Sequence, residues 1–175
     1  MRPAPADGRQ NGVGVLSRFP LENPLYSEAY RGQRFGLEVA GRPLELINAH
    51  FNVPFGEGRT SSLRNYDPTL RDGQLDALLE AVENAPAVIV VGDLNLSDNE
   101  PDYQQLAASL TDSYRRTEAG FGFTYPARKA YRGLPLPPLV RLDYVWVRGL
   151  EPVAAARDCR TGSDHCLVVA DVRLP

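Results

Sequence analysis

Short apolar blocks, broken by Gly, Pro and polar clusters, run the length of the chain. Gly12 to Leu16 (GVGVL) reads as a short strand. Arg34 to Val39 and Leu44 to Ala49 read as strands joined by a tight turn at Gly41-Arg42. A loop rich in Gly, Ser and Asn follows, from Asn52 to Tyr66. Asp67-Pro68 then supplies an N-cap and a proline for the first helical position. Leu70, Leu75, Leu78, Leu79 and Val82 recur at helical spacing and predict one apolar face up to Glu83. Pro86 blocks further helix, and the β-branched run Ala87 to Val91 predicts a strand. Pro101 to Leu110 reads as a second helix with Tyr103, Leu106, Ala107 and Leu110 on one side.

Gly120 to Arg141 reads as a long Pro/Gly/aromatic loop. Val140 to Val147 alternates as a strand, with Leu142, Tyr144 and Trp146 on one face and Asp143 on the other. Strands near Val153 to Asp158 and Cys166 to Leu174 close the chain. No repeat or linker interrupts the pattern. Residues 1–11 read as a flexible lead-in and residues 1–175 as a single domain, a size long enough for a real core.

Composition narrows the function classes. No apolar run approaches the ~20 residues of a membrane span, and nothing after Met1 has the form of a secretory leader. A soluble chain is expected. Net charge is −3 and the sequence pI is about 5.4. This argues against a broad basic face for gripping nucleic acid, though not against a local patch. Cys159 and Cys166 could face each other across neighbouring strands, but so sparse a pair is no disulfide framework. Two small buried thiols are the favoured reading. With two cysteines and two histidines in all, a Cys/His zinc site is disfavoured.

Polar residues fall at the ends of predicted strands four times: His50, Asp93 with Asn95, Asp143, and Asp164 with His165. Each has an ordinary explanation. Gly-Asp-x-Asn often makes an Asx-turn. An Asp in a strand can pair with a nearby Arg141 or Arg148, and Ser-Asp-His can be a turn. Jointly, those explanations must place both histidines and several acids at strand ends by accident. No Gly-x-Ser-x-Gly elbow or phosphate-cradling P-loop is present. Carboxylate and amide oxygens suit a hard cation, Mg²⁺ or Mn²⁺ with Ca²⁺ a further candidate. Imidazoles and an amide suit the non-bridging oxygens of a phosphate. Together they point to metal-assisted attack of water on a phosphoester.

Six pieces carry a family resemblance: Gly14-Val15-Leu16-Ser17-Arg18-Phe19-Pro20, Asn48-Ala49-His50, Arg71 with Gln74, Gly92-Asp93-Leu94-Asn95, Arg141-Leu142-Asp143-Tyr144 and Ser163-Asp164-His165. In this order the chain resembles the endonuclease/exonuclease/phosphatase superfamily, relatives of deoxyribonuclease I. The resemblance implies an α+β fold, a two-sheet β-sandwich flanked by helices. It implies that Asp93 orients or activates the attacking water and that Asn95 holds the phosphate. His165 would donate to the phosphate, with Asp143 orienting its ring and His50 stabilising the phosphate from the other side. Asp164, with Asp93 and Asn95, would hold the metal. Arg71 and Gln74 would be structural.

The family's opening strand with Asn, its helix and its Gln-Glu strand are not visible. Glu22, Glu28 and Glu38 come too late in order to replace that Glu. The resemblance therefore implies a chain lacking the N-terminal part of the fold, with weak metal binding and low activity. A catalytically impaired domain retained for binding is the alternative. Tyr125 and Arg128, in a loop mixing aromatic and basic residues, are candidate substrate contacts. The phosphoester partner is left open between nucleic acid and a small or lipid-linked phosphate, as are oligomeric state and localisation. The Thr124-Tyr125-Pro126-Ala127 stretch resembles uncharacterised bacterial members.

Overall fold

A computed structural model describes residues 2–3, 13–55, 65–127, 130–131 and 134–175. In chain order the elements are β1 (Arg2–Pro3), β2 (Leu16–Ser17), β3 (Glu22–Ser27), β4 (Gly32–Val39), β5 (Arg42–His50), α1 (Thr69–Val82) and β6 (Val88–Asp93). Then come α2 (Pro101–Ser109), β7 (Thr111–Asp112), α3 (Ser113–Thr117), β8 (Ala130–Tyr131) and β9 (Leu134–Pro135). β10 (Asp143–Arg148), β11 (Glu151–Asp158) and β12 (Leu167–Arg173) finish the chain. Most of the predicted lead-in and the middle of the Asn52–Tyr66 loop lie outside the described residues.

Six strands form the main sheet in the order β3-β4-β5-β6-β10-β7. β4 and β5 are an antiparallel hairpin. Its turn residues are Ala40 and Gly41, both at positive φ, one residue earlier than predicted; such a two-residue turn follows the twist of its strands. β5 and β6 run parallel, so the chain must cross back over one face, and α1 makes that crossing. β10 pairs with the other side of β6, antiparallel. A second sheet contains β11 and β12, and α3 packs against β11. The architecture is α+β, a mixed sheet with a second sheet and few helices, as the resemblance implied.

Burial explains why β6 is central. Val88 and Val90 are fully buried, with Ile47 and Ala49 of β5, Tyr144 and Trp146 of β10, and Leu75, Leu78 and Val82 of α1 in one core. Each such large side chain stabilises the fold by roughly 1.5–3 kcal/mol. The alternate positions of these three strands face the opposite side of the sheet. There, β12 and the segment Gly14–Leu16 border a hollow of about 510 Å³.

Several expectations need correction. Of the predicted Gly12–Leu16 strand, Gly12 lies outside the described residues, residues 13–15 are not strand and Leu16 begins β2, while β3 and α3 were not foreseen. Leu70 is 70 % exposed. The buried face of α1 is Arg71, Gln74, Leu75, Leu78 and Val82, and Leu70 lies about 100° off it. Two polar residues occupy that face because loops offer them partners, described below. Ala107 is exposed on α2. Pro68 already has helical torsions, and Asp67 Oδ1 accepts the Thr69 N–H, so the predicted cap is present.

The cysteines are not thiols. Cys159 and Cys166 form a disulfide. Asp158 pairs with Leu167 as the last rung between β11 and β12, so the next two residues meet across the hairpin. Closing so short a loop is worth roughly 2–3 kcal/mol by the chain-entropy estimate. The disulfide also closes the base of the loop that carries Asp164 and His165.

Candidate active site

Three strands end in one row. His50 of β5 is in register with Asp93 of β6, and Asp93 with Asp143 of β10. The row just inside it is Ala49, Gly92 and Tyr144. Since side chains alternate, the inner row contributes Ala49 and Tyr144 to the core, and the outer row faces the other way. Gly92 is required here. Its φ is +138°, and a Cβ would come within 1.9 Å of the Ala49 carbonyl oxygen.

After Asp93 the chain does not stay extended. Asp93 Oδ1 accepts the Asn95 N–H at 2.9 Å, and Asn95 sits at φ +46°. This is an Asx-turn, the ordinary explanation of Gly-Asp-x-Asn, and it coexists with a shared cavity: Asp93 and Asn95 both line it. Leu94 is fully buried between them. One Asn95 amide hydrogen goes to the Phe51 carbonyl. The Asn95 carbonyl accepts from Arg71 Nη1 at 2.9 Å. Arg71, 2 % exposed, also pairs with Glu100 and Asp102. Gln74 bonds both the backbone N–H and the side-chain oxygen of Asn52. The polar residues on α1 thus brace the loops beside the site.

Asp93 Oδ2 lies between the two imidazoles, 3.7 Å from His50 Nε2 and 3.8 Å from His165 Nε2. His165 Nδ1 is 2.8 Å from Asp143 Oδ2. Neither arginine competes for Asp143: Arg141 pairs with Asp112, and Arg148 donates to the Ala85 carbonyl. Burial pushes the Asp93 carboxyl up, and the neighbouring Asp143 carboxylate adds to it. The bond to Asp143 raises the His165 imidazole above its usual range against the opposing effect of burial.

The sequence marks Thr124 only as part of a loop stretch and not as a residue of the site. It is fully buried. Its Oγ1 accepts from the backbone of Leu142 and Asp143, and its carbonyl accepts from Cys166. It therefore ties the start of β10 to the His165 loop. A lone threonine in a loop carries no sequence signal of this.

Tyr125 lines the cavity and its ring lies 4.8 Å from that of His165. Asp164 lines it too, exposed. Arg128 lies outside the described residues. Among the described residues, Asp93, Asp143 and His165 each offer a ligand atom within 4.8 Å of the others. Asp164 is not part of that group. Two facing carboxylates, one with its charged form disfavoured by burial and repulsion, are a donor set that a divalent cation would relieve.

A similar arrangement of elements occurs in known proteins. The chain superposes on an endonuclease/exonuclease/phosphatase from Bacteroides vulgatus with a TM-score of 0.64, 15% identity, covering 82% of this chain and 55% of that one. A mannosyl-6-phosphatase from Bacteroides thetaiotaomicron gives 0.54, 16%, 81% and 56%. Beta toxin from Staphylococcus aureus, with bound magnesium ions, gives 0.59, 17%, 91% and 67%. These likenesses are of fold. The chain spans little more than half the length of the first two of these structures. No curated protein matches by sequence. Among the described residues no helix is long and apolar enough to cross a membrane. The model of the Endonuclease/Exonuclease/phosphatase family matches residues 2–165, and on that match the chain belongs to this family.

Proposed function

We propose that this chain is a phosphoester hydrolase, in which an activated water attacks phosphorus with the help of Mg²⁺ or Mn²⁺. The observation that carries the reading is the row His50, Asp93, Asp143 across three adjacent strand ends, with His165 bonded to Asp143. Asp93 and Asp143 would hold the cation, with oxygen donors of Asn95 and Asp164 on the cavity that Asp93 lines. When bound, that cation supplies positive charge to the phosphate and lowers the pKa of bound water. Asp93 orients the attacking water. His165 gives Nδ1–H to Asp143 and so presents Nε2–H to a phosphoryl oxygen, where negative charge builds. His50 reaches the same space from the other side of Asp93. Asn95 helps to hold the phosphate.

The test is an assay of the purified chain on phosphodiester and phosphomonoester substrates with Mg²⁺ or Mn²⁺. Metal-dependent turnover that His165→Ala lowers by roughly 10²–10⁴-fold is expected. Phosphate binding without any turnover would instead favour a binding role.

A further inference from the structure

The cavity over the Asp93 row is larger than a phosphate requires, at about 950 Å³. Most of its remaining lining is apolar or aromatic: Val53, Phe55, Tyr66, Tyr125, Val140 and Leu142. The first three follow the end of β5, and the last three precede β10. Because β5 and β10 flank β6 on opposite sides, these two groups flank the Asp93 end from opposite sides. Phe55 and Tyr66 are held together by a β-bridge and an edge-to-face contact of 5.5 Å. Val53 is 57% exposed and Tyr66 44%, which leaves apolar surface open to a ligand.

Charge narrows the occupant. The acidic side chains of Glu100 and Asp164 line the same cavity, and no Lys or Arg is among its described lining residues. Glu100 bonds the Tyr66 hydroxyl at 2.6 Å, so one carboxylate is fixed at the aromatic wall. A second phosphate placed along this wall would find no unmatched cation among its described residues, because Arg71, which bonds the Tyr66 hydroxyl behind it, is already paired with Glu100 and Asp102. An uncharged apolar group would exchange water for aromatic surface there.

We infer that the Val53/Phe55/Tyr66 and Tyr125/Val140/Leu142 walls form a subsite for an uncharged aryl or alkyl group, so that the substrate is a phosphoester with one phosphate and an apolar substituent. This rests on the hydrolase reading for its place in the reaction, and binding tests it without turnover. The probes are phenylphosphonate, methylphosphonate and a single-stranded oligonucleotide, titrated by calorimetry with Mg²⁺ at about 150 mM salt. Phenylphosphonate is expected to bind on the order of tenfold more tightly than methylphosphonate. Val53→Ser and Phe55→Ala should each shrink that ratio and leave methylphosphonate affinity unchanged. Equal affinities, no binding of either phosphonate, tighter binding of the oligonucleotide, or variants that weaken both phosphonates alike would overturn the inference. Absent turnover with the phenyl preference intact would sink the hydrolase reading alone.

Discussion

Nδ1 of His165 lies 2.8 Å from Oδ2 of Asp143, although the two are 22 residues apart in the chain. The bond fixes which imidazole nitrogen faces Asp143 and leaves Nε2 toward Asp93. It also raises the His165 pKa, and this has a signed consequence. A folded-state pKa above the unfolded value adds stability that is fully present below the unfolded value of 6.5. That stability is lost as pH rises through the folded value. In metal-free Asp143→Asn, the His165 midpoint followed by NMR should fall, and the extra stability on the acid side should go with it. His50→Asn, leaving one histidine, assigns the resonance. An unchanged midpoint would refute the role given to Asp143.

Asp93 has the same sign of pH dependence for a different reason, since here burial disfavours the charged form. Burial and Asp143 raise its pKa, so between the unfolded and the folded values the native state binds more protons than the unfolded chain. Stability therefore declines as pH rises from the ordinary value of 3.8 through the raised one. Metal-free Asp93→Asn should be more stable than wild type at pH 7, since the amide can still accept the Asn95 N–H. Each ~1 kcal/mol gained corresponds to roughly 2–4 °C in Tm. Adding Mg²⁺ or Mn²⁺ should reverse the order, because wild type gains about 2.7 kcal/mol at a hundredfold excess over Kd. Thermal melts with and without chelator read both effects. An Asp93→Asn protein that gains as much from the cation would remove Asp93 from the metal site.

Arg71 joins α1 to the Asn95 turn. Its guanidinium holds the Asn95 carbonyl and neutralises Glu100 and Asp102. Arg71→Met leaves those groups without their cation and should cost about 3–5 kcal/mol in urea denaturation. It should also broaden the Asn95 amide resonance, which Arg71→Lys should partly restore. A cost below ~1 kcal/mol would show the cluster to be solvated surface.

Much of this arrangement was legible in the chain. Short apolar blocks located β4 and β5, a β-branched run located β6, and clean alternation located β10, because a strand buried on one face must alternate. The Asp67-Pro68 signal located α1. Both histidines and the key acids were visible as polar residues at strand ends. Arg71 and Gln74 were not legible as buried. A helix's apolar stripe is inferred from side-chain type, and these two are inside only because Asn95 and Asn52 in distant loops accept or donate to them.

Sequence alone determined which residues stand at strand ends, since alternation and chain-breaking residues are local properties. It also determined the order of motifs by which the family was recognised. Only the tertiary structure decided that His50, Asp93 and Asp143 form one row. Register is set by the pairing of strands far apart in sequence, and a shift of one residue would turn each side chain to the other face. The same holds for the disulfide. Whether Cys159 and Cys166 meet depends on how β11 and β12 align, and no property of either cysteine alone encodes that.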